Sequence, residues 1–578
     1  MEMKGAELVV KALKNEGVEI LFAYPGGQAM DLFDALYNQN EIEVILPRHE
    51  QALIHAADGY ARSTGRVGVC LVTSGPGATN LVTGIATANY DSVPLVCITG
   101  QVPTHLIGND AFQEVDIVGI TRSICKHSIT VQKREDLGRI LKEAFYIASS
   151  GKPGPVVVDI PKDIQAAMGS DVYPKEVNIR SYKPNTNAHE GQLKKALEIL
   201  EHAKKPLFLI GGGVNISRAT EEMTRLAELT NVPVVTTIMG KGAIPTRHPL
   251  YLGNIGIHGS YAANTAISEC DVLFSIGTRF NDRITGKTGE FAKNATIIHI
   301  DIDSSSISRN IVVDIPIVAD AKIAIHKLLE SAKPLKTNVW VEQVSGWKAD
   351  HPINMDRYKG LTPEKIIKTI NEMFLDSVVV TDVGQNQLWT TQYLELDEHR
   401  QLLTSGGLGT MGYGFPAAIG AKFGNPDKDV ICITGDGGMQ MNLQEMATAV
   451  ACELPIIICI FNNSYLGNVR QWQELFFQKR YSSTCLKYRK SCGRDCKNKG
   501  KCPTKYIPDF LKLADTYEAC GIRVEKEEDI KPAFLAAKEN KKTPTIIEFI
   551  IEPEANVFPM VPTGKALNEM IMDCDSVK

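Results

Sequence analysis

No apolar run in this 578-residue chain reaches the roughly 18 residues that a membrane-spanning helix needs. The opening residues, Met1-Glu2-Met3-Lys4, pass straight into an amphipathic pattern and lack the basic-then-apolar layout of a secretory leader. Neither sign of charge dominates: 62 Lys and Arg face 67 Asp and Glu, and a net charge of -5 points to neither nucleic acid nor a membrane surface. Aromatics are scarce at 7 %, with only four Trp, so a Trp beside a motif carries weight. Among the 13 Cys, Cys70, Cys97, Cys432 and Cys459 lie inside apolar runs. That is the pattern of buried thiols rather than of a disulfide frame, and the cytoplasm is the expected compartment.

What is present is a repeated alternation. Short Val/Ile-rich runs at 67–73, 95–99, 156–159, 206–210, 232–236, 272–276, 297–300, 377–381, 430–434, 455–461 and 545–550 are separated by stretches of helix length. Nearly continuous apolar strands of this kind predict parallel sheets covered on both faces, so the fold class is α/β, doubly wound, several times over. The polar, Pro-punctuated stretches 173–190 and 332–362 read as linkers. They divide the chain into three blocks, 1–172, 190–335 and 362–578, each of ordinary domain size.

The third block holds the strongest chemical signal. A strand at 430–434 runs into Gly435-Asp436-Gly437-Gly438, a helical pattern follows at 443–450, and the next strand ends in Asn462-Asn463. A glycine turn between strand and helix lets backbone N–H groups approach an anion. Asp436 beside a phosphate would repel it unless a hard cation such as Mg²⁺ lay between them. The 24 residues of 438–461 suffice for one helix and one returning strand, which brings Asn463 to the same sheet edge. The plain alternative is a turn at Asp436 and an Asn-rich strand end.

GDG, a helix and then NN at this spacing resembles the signature of thiamine diphosphate enzymes. The resemblance implies Mg²⁺ held by Asp436, Asn463 and the carbonyl at Tyr465, with Gly435, Gly437, Gly438, Leu466 and Gly467 around the diphosphate. Val383-Gly384-Gln385-Asn386 matches a further phosphate-contacting turn, and the loop of Gly409 and Met411 would lie beneath the cofactor. From the first block the resemblance asks for a carboxyl that shares its proton with the aminopyrimidine ring. Glu50, in Arg48-His49-Glu50 at the end of a strand (42–46) and the start of an Ala-rich helix reaching Arg62, is the candidate. A carboxyl there is otherwise a helix-dipole partner. One cofactor must touch both blocks, which in the resembled enzymes come from different subunits, so a homodimer or tetramer with a shared site is implied.

The resemblance narrows to the acetohydroxyacid (acetolactate) synthase catalytic subunits and covers essentially the whole chain. Tyr24-Pro25-Gly26-Gly27, Gln101-Val102-Pro103, Ala111-Phe112-Gln113-Glu114, Pro161-Lys162-Asp163, Arg279-Phe280-Asn281-Asp282-Arg283, Gln471-Trp472 and Met560-Val561-Pro562 occur in the family's order. Such enzymes decarboxylate pyruvate and join the two-carbon unit to a second pyruvate or to 2-ketobutyrate, a step of branched-chain amino-acid biosynthesis. The match implies Tyr24, Pro25, Gly26 and Gly27 at the cofactor, Arg283 on the acceptor carboxylate, Trp472 as the apolar acceptor wall, and Gln113 and Lys162 lining the site. It also implies FAD on the middle block, without a redox part, through Lys152, Gly211, Gly212, Gly213, His258, Arg279, Asp282, Asp301 and Asp320. A small regulatory subunit is a partner that it leaves open. A different carboligase and a catalytically silent scaffold are the alternatives; intact Glu50, Asp436 and Asn463 argue against the scaffold.

The chain also departs from the family. Asn468 stands where Met is usual, Gln28 where Ala is usual, and Lys152 where Arg is usual. Cys485, Cys492, Cys496 and Cys502 crowd a stretch, 485–505, with eight Lys or Arg against one Asp. Four thiols there suit Zn²⁺ or an iron–sulfur cluster, but no pair has CxxC spacing, and ordinary loop thiols are the competing reading.

Overall fold

The computed structural model describes residues 2–397, 399–492, 502 and 504–574. Each block builds one six-stranded parallel sheet. In the first, the order across the sheet is Glu43–Ile45, Ile20–Ala23, Gly68–Val72, Leu95–Gln101, Pro155–Pro161, His127–Thr130. The middle sheet runs Tyr251–Asn254, Val234–Thr236, Pro206–Ile210, Val272–Ile276, Thr296–Asp301, Ile315–Val318. The third runs Gln401–Thr404, Ser377–Thr381, Asp429–Gly435, Ile456–Asn462, Thr545–Ile550, Cys520–Val524. The α/β, doubly wound expectation holds three times.

Most central strands are visible in the sequence, because both of their faces are covered: all seven residues of Ile456–Asn462 are buried. The short central strand Ile20–Ala23 is not, and of the sheet edges only Glu43–Ile45 is. His127–Thr130, Tyr251–Asn254, Ile315–Val318, Gln401–Thr404 and Cys520–Val524 are edge strands with partly exposed patterns, so they lack a continuous Val/Ile run. One linker reading is corrected. Within 332–362 the residues Asn338–Asp350 form a helix, because Trp340 and Val344, one turn apart, are buried. The indole N–H of Trp340 donates to the Pro206 carbonyl at 2.9 Å, docking this helix on the middle sheet.

The first and third blocks meet through two helices, Glu50–Thr64 and Gly414–Gly424. Both are rich in Ala and Gly, so their backbones approach closely; a side chain on Gly424 would strike Thr64. At this seam Arg62 donates to Asp58 (2.6 Å), Asp91 (2.9 Å) and the Thr404 carbonyl (2.9 Å). Asp91 in turn accepts the N–H groups of Gly406 (3.1 Å) and Gly407 (2.7 Å), which fastens the 405–412 loop of the third block to the first.

Candidate active site

Strand Asp429–Gly435 lies beside Ile456–Asn462 in parallel register, with Gly435 opposite Phe461, so Asp436 and Asn463 leave the sheet at one edge. The helical pattern at 443–450 resolves into a 3₁₀ turn at Leu443–Glu445 and a short helix Met446–Ala451, and a further single turn, Asp436–Met439, precedes it. Asp436 is 1 % exposed. Burial pushes its carboxyl up to about 7, against the pull of hydrogen bonds from Tyr506 and from the Ser464 N–H at 2.9 Å. The Asn463 amide donates to Gln385 Oε1 at 3.2 Å, and its oxygen accepts the Tyr465 N–H at 3.0 Å.

The neighbouring turns converge on the same edge. A side chain on Gly437 would meet Leu466 at 2.9 Å, Leu486 at 3.5 Å and Met411 at 3.7 Å, so Met411 and Leu466 flank the GDG turn. Gly467 faces Gln385 and Asn463 closely enough to exclude a side chain. The residue organising these turns is Asp382, which the motif reading passed over. It is buried and accepts N–H groups from Val383 (2.8 Å), Gly412 (3.0 Å) and Gly414 (2.9 Å), with its carboxyl raised to about 6 by burial. One side chain therefore sets the Val383–Asn386 turn and the Met411 loop together. Its only sequence signal was an Asp at a strand end before a glycine turn.

In the first block a second cluster forms. Glu50 opens the helix Glu50–Thr64, as expected, and its carboxylate accepts the Asn80 amide at 2.9 Å. It lies against the turn at Gly77, where a Cβ would come within 3.5 Å of Oε1. Gln113 stands at φ 60 over Gly75, itself at φ 58, whose missing side chain leaves room for the Gln113 carbonyl. Lys162 donates to the Gly27 carbonyl at 2.8 Å, and Gln28 N–H reaches Thr73 at 3.2 Å. Glu50, Gln113, Lys162 and Gly26-Gly27 are thus drawn around the turn at residues 73–77, and Tyr24-Pro25 leads into it from the strand Ile20–Ala23.

The middle-block candidates sit at the carboxyl ends of parallel strands, where ligands of such sheets bind. Gly211 follows Pro206–Ile210, Arg279 follows Val272–Ile276, Asp301 ends Thr296–Asp301, and Asp320 follows Ile315–Val318. Asp301 is raised to about 6 by burial, with Lys152 and Arg279 pulling it down. Lys152 pairs with Asp303 at 3.1 Å, and Asp320 caps the next helix through the Ile323 N–H at 3.1 Å. Gly211 and Gly213 have a packing reason as well, since both press on Gly277, whereas Gly212 faces Met239. His258 is held below its usual range, to about 4, by burial and bonds Pro559 at 3.2 Å. Arg283 is largely exposed and stands 3.6 Å from Asp282.

Trp472 and Asn468 occupy one face of the helix Gly467–Phe476, four residues apart. The indole Nε1 of Trp472 and the Oδ1 of Asn468 are buried without a hydrogen-bond partner among the described residues. Arg470, fully buried and unremarked in the sequence, pairs with Glu474 (2.7 Å) and donates to the Ala555 carbonyl (3.0 Å), tying the C-terminal segment to this helix. Of the crowded cysteines, Cys496 lies outside the described residues. Cys492 accepts the Arg489 N–H at 3.4 Å, and the Cys502 thiol is lowered by Thr504 and by nearby Lys487 and Arg489. Among the described residues no three His, Cys, Asp or Glu side chains group as metal ligands, and no helix is long and apolar enough to cross a membrane.

The chain matches three thiamine pyrophosphate enzyme families: the N-terminal TPP binding domain over 3–120, the central domain over 193–328, and the C-terminal TPP binding domain over 382–549. It is 47 % identical to a probable acetolactate synthase large subunit of Methanococcus aeolicus, over 98 % of this chain and 95 % of that one. Identity is 44 % to the acetolactate synthase large subunit of Haemophilus influenzae, over 99 % and 98 %. It is 43 % to the acetolactate synthase isozyme 3 large subunit of Escherichia coli, over 99 % of each chain.

Proposed function

The chain belongs to the acetolactate synthase large subunits among the thiamine pyrophosphate enzymes, and from that premise we propose how its residues divide the work. It is an enzyme that forms a carbon–carbon bond, decarboxylating pyruvate and joining the two-carbon unit to pyruvate or 2-ketobutyrate for branched-chain amino-acid synthesis. Thiamine diphosphate, when bound, supplies the electron sink for decarboxylation and transfer.

Mg²⁺ would be held by Asp436, Asn463 and the Tyr465 carbonyl, with the diphosphate along Val383–Asn386 and Gly435–Gly438. The observation that carries this reading is Asp436 itself, a carboxyl 1 % exposed at the same sheet edge as Asn463 and raised to about 7 by burial. A divalent ion would return it to the ionised form, and an all-oxygen donor set suits Mg²⁺. Glu50, steadied by Asn80, would hold the proton shared with the pyrimidine ring. Met411 and Leu466 wall the space beside the GDG turn. Arg283, with an exposed guanidinium, takes the acceptor carboxylate bidentately, and Trp472 with Asn468 shapes the acceptor wall.

FAD would lie at the carboxyl ends of the middle strands, with Gly211–Gly213, Arg279 and Asp301 facing it; flavin absorbance of the purified protein tests this. A homodimer that closes the site across subunits is supported by apolar residues exposed beside both clusters: Met30, Leu46 and Phe112 (84 % exposed) near Glu50, and Leu408 and Met441 near the Met411 loop. The relatives are named as large subunits, which supports a small-subunit partner. The tetrahedral-metal reading of Cys485, Cys492, Cys496 and Cys502 draws support only from the lowered Cys502 thiol and is decided by metal content after anaerobic purification.

The decisive assay is incubation with pyruvate, thiamine diphosphate, Mg²⁺ and FAD, followed by acidification and a colour test for acetoin. No acetoin would sink the synthase reading.

A further inference from the structure

Gln113 is carried on a loop, residues 104–115, that is fastened to the rest of the first block at both ends. At its start, Asp163 accepts the Thr104 N–H at 3.0 Å and the Thr104 hydroxyl at 2.5 Å. At its end, the Gln101 amide donates to the Val115 carbonyl at 3.0 Å, two residues beyond Gln113. The Gln101 side chain has one permitted orientation. Its Oε1 accepts the Val102 N–H at 2.9 Å, and its amide nitrogen also donates to Asp159 at 3.1 Å. Turning the amide over would set oxygen against carboxylate and N–H against N–H. Asp159 is 1 % exposed and lies opposite Thr99 and Thr130 on the two neighbouring strands. It accepts their hydroxyls at 2.7 Å and 3.1 Å. Three side-chain donors, none of them a cation, therefore meet this buried carboxylate.

We infer that Asp159 is a positioning residue for Gln113, acting through the Gln101 amide and the Val115 carbonyl. The inference rests on the reading of Gln113 as a residue lining the site. The Gln113 backbone stands at φ 60, and a residue other than glycine keeps such a conformation only where its surroundings over-determine it. Gly75 supplies one side of that frame, since a side chain there would strike the Gln113 backbone. The Val115 anchor supplies the other. Asp159 contributes by fixing which end of the Gln101 amide faces Val115, a directional role that packing alone does not require.

The test uses the full-length protein and three substitutions. Gln101→Met removes the donor to Val115, and Asp159→Val removes the group that orients it. Thr130→Val takes one donor from the same carboxylate without touching Gln101. In the cofactor-free protein, peptide-resolved hydrogen exchange over residues 104–115 should quicken in Gln101→Met and Asp159→Val but not in Thr130→Val. In the holoenzyme, kcat/KM for pyruvate should fall by about 10–100-fold in the first two. Either change added to Gln113→Ala should cost only about twofold or less beyond it, which is the ordinary error of additivity. A merely structural Asp159 would repeat its full loss in that background. Should Asp159→Val fail to fold, Gln101→Met carries the test, because it leaves the carboxylate both hydroxyl donors. Exchange unmoved in Gln101→Met, or losses that multiply in full with Gln113→Ala, overturns the inference. A silent Gln113→Ala, with exchange still quickened in Gln101→Met, removes Gln113 from the site and fails the underlying reading instead.

Discussion

Arg62→Met removes the one cation that two buried carboxylates share. Asp58 and Asp91 are fully buried and the Arg62 side chain is 9 % exposed, so solvent cannot replace the lost partner. Breaking a buried ion pair from one side costs about 3–5 kcal/mol, because the charge left behind stays desolvated. At about 2–4 °C per kcal/mol for a cooperative unit of some 150–250 residues, the corresponding melting transition should fall by roughly 6–20 °C. Arg66→Met is the internal control. Its partner Glu19 is 64 % exposed and Arg66 is 53 % exposed, so that pair is worth about 1 kcal/mol or less. Because Asp91 also holds Gly406 and Gly407, Arg62→Met should speed amide exchange through residues 404–412, the loop that carries Met411. Thermal melting and peptide-resolved hydrogen exchange together check this. The triple change Asp58→Asn, Arg62→Met, Asp91→Asn should recover more than half of the loss, since it removes the stranded charges. If Arg62→Met costs no more than Arg66→Met, the seam is wet in solution and the argument from burial fails.

His55, with both ring nitrogens buried and unpartnered among the described residues, is lowered to about 3 by burial, with Arg62 adding to the effect. The unfolded chain then binds a proton below about pH 6.5 that the folded chain refuses, so stability rises with pH across that window and about 1.4 kcal/mol is missing at about pH 5.5 relative to pH 7.5; His55→Leu should flatten the slope of melting temperature between those values, and an unaltered slope refutes the assignment. Asn468→Met removes a buried orphan acceptor beside Trp472 and extends the apolar wall, so in a pyruvate/2-ketobutyrate competition the share of 2-aceto-2-hydroxybutyrate should rise by up to about tenfold; a fall would place Asn468 elsewhere. Glu50→Gln should lower turnover by at least about 100-fold while Mg²⁺-dependent cofactor binding persists, and retained turnover would remove Glu50 from its role.

What was legible in the sequence was contiguous. Most central strands announce themselves because both faces are buried, and the GDG turn, the Asn pair and Arg48-His49-Glu50 each concentrate their chemistry in a few adjacent residues. The helix at Asn338–Asp350 was missed because only two of its apolar positions, Trp340 and Val344, are buried, too few to show a period until a sheet stands beside them. Most edge strands were missed because they are too exposed to carry a continuous apolar run. The supports of the candidate site were illegible in a stronger sense. Asp382 acts on Gly412 and Gly414, and Asp91 on Gly407. Each is a common residue type whose role exists only once the chain has returned to it. The motif residues name the chemistry, but the turns that present them are held by carboxylates with no motif of their own. Substitutions at Asp382 or Asp91 should therefore disturb the site while leaving every recognisable motif intact.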